Sequence, residues 1–169
     1  MCAVVLGSVI HSEYRMDKIE KKIDRLDDII QVDDSMNYTQ NDVDCLARNI
    51  YYEAGVESKQ GKYAVANVTV NRVKSGHWGN NVCKVVYAPK QFSWTGQRVP
   101  KPNKQLWAES KAVALDVLQN GARIKGLKHS LYYHATYIKR PVWADPQQHA
   151  VTIGQHKFYN QAKNSTVYI

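Results

Sequence analysis

The chain has 169 residues, 22% of them charged and 44% hydrophobic, with a formal net charge of +8. That length supports one domain with a real core plus an appendage, and no apolar run reaches the ~20 residues of a membrane-spanning helix. Residues 1–40 hold 5 Lys/Arg against 8 Asp/Glu, while residues 41–169 hold 18 against 7, so the second part is a basic domain that favours a polyanionic partner. Nucleic acid is the ordinary candidate and an anionic cell envelope fits as well; the basic residues are scattered and form none of the usual nucleic-acid-binding motifs, so no nucleic-acid partner is expected.

Taken in order, Met1–Ile10 is a short apolar run that lacks the basic start and small-residue cleavage site of a conventional signal peptide. Met16, Ile19, Ile23, Leu26 and Ile30 then repeat at spacings of 3 and 4. This a/d stripe over two heptads predicts a helix that self-associates, docks on a partner or packs on its own domain. Gln31 to Gln40 is polar and reads as a linker, which divides the chain into a segment 1–40 and a domain 41–169.

From Asp42 to Ala54 the apolar residues Val43, Leu46, Ala47, Ile50, Tyr51 and Ala54 share one helical face. Thr39 or Asn41 caps the start, with Asp42 placed for a capping box. Gly55 suits the position just past the end. Gly61 to Lys74 is a second segment whose valines favour strand on propensity alone. Ser75 to Asn81 is a turn-rich loop, and Val82 to Tyr87 a short helix stopped by Pro89. Gln91 to Lys104 reads as a loop, and Asn103 to Asn120 as a helix closed by Gly121. Residues 130–137, 150–154 and 157–160 are short β-rich runs between turn residues. Helices followed by strands indicate an α+β domain. The three cysteines, Cys2, Cys45 and Cys83, are odd in number and lack CxxC spacing, so they are expected as small apolar fillers in a reducing compartment rather than as a disulfide.

Of the seven acids after residue 40 (Asp42, Asp44, Glu53, Glu57, Glu109, Asp116 and Asp145), only Glu53 is flanked by aromatic and small apolar residues, in Tyr51-Tyr52-Glu53-Ala54. It falls at the edge of the apolar stripe, half-buried on the last helical turn. Burial and the negative end of the helix dipole both oppose its charge and raise its pKa. Those are the conditions of a general acid near neutral pH. Spacing alone also fits a glutamate that ends a helix in water.

The run ARNIYYEAGVESKQGKYAVANVTVNRV resembles the opening motif of the SleB/CwlJ-type cell wall hydrolase family. Its later motifs follow in order: Gln91–Trp94, Leu131–Ala135, Pro141-Val142-Trp143 and Ile153–Tyr159. Lys62 and Val56 depart from the pattern, which usually has Gln and a basic residue there, and both are expected to lie near the acid. The resemblance implies a helix over Gly61–Lys74, with Asn71 and Arg72 in a structural role behind the site. It also implies a lysozyme-like, two-lobed α+β domain with a helical lobe and a small antiparallel sheet, preceded here by an N-terminal helical extension.

In function, the resemblance implies cleavage of the glycan of peptidoglycan at the bacterial cell wall, commonly by lytic transglycosylation, whether in a bacterial envelope enzyme or a phage lysis protein. Such an enzyme works with one carboxylic acid, here Glu53, and no cofactor. Glu57 is either a helix cap or a second carboxylate that tunes Glu53 by like-charge repulsion. Tyr52, Phe92, Ser93, Trp94, Tyr133, His134 and Trp143 are the candidate glycan contacts, with Tyr133 and Ser93 favoured by the family motif. Tyr132 and Tyr133 cannot both face the cleft from one regular strand. No metal-ligand spacing occurs among the histidines, so no metal is expected. Two other readings remain. One is a zinc amidase or peptidase built on His134 with His149 or His156, more plausible than a Cys45 nucleophile. The other is a non-catalytic protein that binds the envelope.

Overall fold

The computed structural model describes residues 30–32, as backbone, and residues 37–160. The apolar run at Met1–Ile10 and the heptad positions Met16 to Leu26 lie outside the described residues. Ile30, the last heptad position, is not helical: Ile30–Val32 forms strand β1, antiparallel to β2 (Ala122–Ile124), with Gln31 opposite Arg123. The start of the expected linker is therefore paired backbone.

Helix α1 (Gln40–Ala54) opens with the capping box expected from its sequence. The Thr39 hydroxyl accepts from the Asp42 amide at 3.2 Å, and Asp42 Oδ2 accepts from the Thr39 amide at 3.0 Å. Asp42 also accepts from the Val82 amide at 3.1 Å, so the same carboxylate starts α1 and docks α3 (Val82–Val86). The far end also falls where expected, at Ala54 with Gly55 just past it. Gly55 has φ −59° and ψ −32°, a right-handed conformation. Glycine is required there by space, since a Cβ would run into the Tyr51 carbonyl oxygen.

Helix α2 (Lys59–Ser75) is capped by Ser58 and ends at left-handed Gly76. It is buried on every side: Ala64, Val65, Ala66, Val68 and Val70 are fully covered. A helix with no polar face is a core helix, and packing overrides the strand preference of its valines. Its buried polar residues bond outward. Asn67 donates to the Ala122 carbonyl and accepts from the Ile124 amide, at 3.1 and 2.6 Å. Asn71 donates to the carbonyls of Leu127 and Ser130, at 2.7 and 2.9 Å. Lys62, one of the two departures from the family pattern, is buried on Glu109 of α4 (Lys104–Gln119). It serves helix packing, whereas Val56, the other, is 90% exposed.

Strands β3 (Ser130–Ala135), β4 (His149–Ile153) and β5 (His156–Asn160) make an antiparallel sheet in the order β3-β5-β4. Tyr133 pairs with Phe158 and Tyr132 with Tyr159. Alternation sends these pairs to opposite faces, with Tyr133 and Phe158 against the helices and Tyr132 toward Trp78 and Trp143.

The cysteine expectation is corrected. Cys45 on α1 and Cys83 on α3 form a disulfide, with Cα atoms 5.3 Å apart and 38 residues of separation. Parity misled because Cys2 supplies the odd residue. A bridge across a loop of that length stabilises a fold by about 2–4 kcal/mol. Reduction, or the Cys45→Ala/Cys83→Ala variant, is therefore expected to lower the melting temperature by several degrees. Calorimetry with and without reductant checks this, and the Ala variant should be insensitive to reductant.

Candidate active site

The last turn of α1 places Glu53 half-buried between the helices and the inner face of the sheet. The Tyr133 hydroxyl donates to Glu53 Oε2 at 3.0 Å. Burial raises the Glu53 pKa above the ordinary carboxyl value; the Tyr133 hydrogen bond and the Arg72 charge pull it back in part. Tyr133 is itself pushed well above its usual range, by burial first and then by the Glu53 charge. It therefore keeps its proton and remains a donor to the carboxylate.

Arg72, near the end of α2, is 6% exposed. Its guanidinium lies between the rings of Trp78 and Phe92, 5.2 and 5.3 Å from their centroids. Its Nε donates to the Leu131 carbonyl at 2.8 Å. That bond ties the start of β3 to α2 two residues before Tyr133. The structural role expected of Asn71 and Arg72 is thus visible, but Arg72 also acts electrostatically on Glu53. The motif gave no hint of that second effect, because a buried cation is recognised by what surrounds it and not by spacing.

The other candidate contacts divide by burial. Tyr52 is half-buried; its ring packs 4.8 Å from Trp94 and its hydroxyl donates to the Pro100 carbonyl at 3.2 Å. Next to it, the Tyr51 hydroxyl accepts from the Asn103 amide at 2.9 Å. These two tyrosines, which directly precede Glu53 in sequence, tie down loop 97–103. Ser93 is exposed at the start of a 3-10 turn, Ser93–Gly96. Phe92 and Trp94 are buried. Trp94 Nε1 donates to Asn49 Oδ1 at 3.3 Å, and Asn49 donates to Thr69 Oγ1 at 3.0 Å. His134 is buried on the outer side of the sheet, stacked on Tyr159 with Nε2 3.1 Å from its hydroxyl. Phe92, Trp94 and His134 therefore line the protein interior and present no open ring face. Trp143 is 45% exposed, on the outer side with Tyr132 and His134.

Glu57 does not cap α2; Ser58 does. Its carboxylate instead accepts from the Gln155 amide in the β4–β5 turn, at 3.2 and 3.4 Å from its two oxygens. The histidines of the metal reading are engaged separately: His134 with Tyr159, His149 with Thr152 at 3.0 Å, and His156 facing Glu57. Among the described residues, no group of three or more His, Cys, Asp or Glu is arranged to hold a metal ion.

Residues 56–159 match the family model described as Cell Wall Hydrolase, and the chain belongs to that family. Among its relatives are spore cortex-lytic enzymes. That of Bacillus cereus is 34% identical over 125 residues, 72% of this chain and 45% of the relative. That of Oceanobacillus iheyensis is 32% identical over 127 residues, 72% and 42% of the two chains. The chain thus spans less than half the length of these curated relatives.

Two solved structures are similar at 29% identity: the catalytic domain of the Bacillus cereus SleB protein and the catalytic domain of the germination-specific lytic transglycosylase SleB from Bacillus anthracis. Their TM-scores are 0.61 and 0.60, and the matches cover 73% of this chain and 93% and 98% of theirs. The fold is the expected lysozyme-like α+β domain of helices and a small antiparallel sheet.

A buried acid with a raised pKa has a stability signature. Its contribution is full below the unfolded carboxyl pKa and is lost as pH rises through the higher folded value. Glu53→Gln removes that loss and keeps an oxygen for the Tyr133 hydroxyl. The variant is expected to melt higher than the parent at pH 8, with the gain vanishing at pH 4. Paired thermal melts across that range check the sign.

Proposed function

We propose that this chain cleaves the glycan strands of bacterial peptidoglycan with Glu53 as its single acid and base, releasing 1,6-anhydromuramic ends as a lytic transglycosylase. The observation that carries the reading is the isolation of Glu53 from other carboxylates among the described residues. It is a partly buried carboxyl group held toward its protonated form and bonded to Tyr133, while the nearest carboxylate in sequence, Glu57, is committed to the β4–β5 turn. A two-carboxylate glycosidase needs a second acid facing the first across the scissile bond, at ~5–5.5 Å or ~6.5–9.5 Å. A transglycosylase does not.

In this mechanism the Glu53 carboxylic acid gives its proton to the glycosidic oxygen. The C1–O bond breaks and its electron pair leaves with that oxygen. The resulting carboxylate takes the proton of the muramic acid C6 hydroxyl while O6 attacks C1, which closes the 1,6-anhydro ring and restores the acid. The nucleophile is already attached to the electrophile, so proximity replaces a second activating group. Tyr133 orients the carboxyl group through Oε2. Tyr52 and Ser93 are the remaining contacts offered to sugar, since Trp143 lies on the outer side of the sheet, away from Glu53. Phe92, Trp94 and His134 support the wall from behind. The Cys45–Cys83 disulfide suits work at the cell wall, in an oxidising setting outside the cytoplasm.

The test is mass spectrometry of digested sacculi. Anhydro ends are expected; reducing ends would convert the reading to hydrolysis, and cut peptides would overturn it in favour of an amidase or peptidase. Glu53→Gln is expected to bind glycan and stay folded while losing turnover by on the order of 10²–10⁴ or more, since one group serves both proton transfers. Near-normal turnover in that variant would refute the mechanism.

A further inference from the structure

Glu57 lies three residues beyond α1, with 11% of its side chain exposed. Its oxygens take the Gln155 amide, and His156 Nδ1, which has no hydrogen-bond partner among the described residues, sits 3.8 Å from Oε1. Gly154, at φ 55°, makes room for this arrangement, because a Cβ there would run into Glu57 Oε2. The contacts continue inward. The His156 ring meets the Tyr133 ring edge-on, with centroids 5.2 Å apart and planes at 88°. Tyr133 in turn bonds Glu53. Anchoring a turn needs only an acceptor, which a neutral amide supplies. A covered carboxylate costs more than that, and here it is aimed at an imidazole that abuts Tyr133.

We infer that Glu57 and His156 are positioning residues: they fix the Tyr133 ring so that its hydroxyl stays on Glu53 Oε2. The inference rests on Glu53 being the acid of the proposed reaction. Glu53 is faced by Tyr133 from β3 and Arg72 from α2. His156 is faced by Glu57 and by His134 of β3. Burial, and more weakly His134, hold His156 below the ordinary imidazole pKa, against the pull of Glu57. Near neutral pH the imidazole is therefore uncharged, and its contact with Glu57 is one of charge with dipole. That contact loses its charge in Glu57→Gln and its ring nitrogens in His156→Phe.

The experiment is steady-state turnover of purified glycan strands across pH by Tyr133→Phe, Glu57→Gln and His156→Phe, with melting curves for each. Losing the Tyr133 hydroxyl removes an influence that lowers the Glu53 pKa, so its alkaline limb of kcat should move to higher pH. Glu57→Gln and His156→Phe should move the limb the same way. Each should lower kcat by roughly 10- to 100-fold, the range expected when a reacting group is misplaced by about 1 Å, with KM little changed. Combined with Tyr133→Phe, neither should shift the limb further, because all act through one hydroxyl.

A limb that stays put while only the melting temperature falls would reduce the pair to a turn anchor and overturn the inference. Additive limb shifts, or failure of both single variants to fold, would overturn it as well. If the parent protein releases no glycan fragments, the proposed reaction fails first, independently of this pair.

Discussion

The arrangement depends on how a fully covered helix disposes of its polar groups. Helix α2 has no wet side, so the side chains it carries beyond its apolar set must find partners inside. Asn67, Asn71 and Arg72 find them in the backbone of residues 122–131. Each carbonyl there would cost about 1–3 kcal/mol if buried without a donor. The connection between β2 and β3, exposed at Lys125, Gly126, Lys128 and His129, is thereby tied to α2 at Leu127 and at the strand ends that flank it. These bonds also set the depth and register of β3, hence where Tyr133 meets α1. The geometry of Glu53 is inherited from amides two layers away.

Around Glu53 two effects compete, and the larger sets which way its protonation is biased. Desolvation favours the neutral acid, while the Tyr133 hydrogen bond and the Arg72 charge favour the carboxylate. Desolvation leads, so the group is biased toward holding a proton, yet stabilisers of the anion are already in place. In the proposed reaction Glu53 gives a proton and recovers one, which needs both forms accessible. Arg72 contributes without touching the carboxylate, and two aromatic rings against its guanidinium offset part of the cost of burying it.

Local patterns in the sequence carried a good part of this structure. Thr39 and Asp42 announced the start of α1, the apolar spacing of Leu106 to Leu118 announced α4, and strand alternation separated Tyr132 from Tyr133. What escaped was set by distance along the chain. Cys45 and Cys83 are 38 residues apart and meet where α3 docks on α1 through Asp42 and the buried Val82 and Val86. Glu57 and Gln155 are 98 residues apart. Ile30 matched a heptad, yet its backbone is taken by the edge of β2. Phe92 and Trp94 were read as sugar platforms because aromatics near an acid invite that reading. Arg72 and Asn49 instead hold their rings inward.

The hydroxyls of Tyr51 and Tyr52 grip loop 97–103 at two points three residues apart, the Pro100 carbonyl and the Asn103 amide. Pro100 and Pro102 narrow the backbone between them further. Ordering a free loop costs roughly 1–2 kcal/mol per residue, and a binder that ordered it on arrival would forfeit that from its affinity. Here the cost is met at folding, by the two residues that precede the acid. The loop is tied down before any ligand arrives, so under the proposed reaction a long strand is engaged and released without the loop being reordered in each cycle.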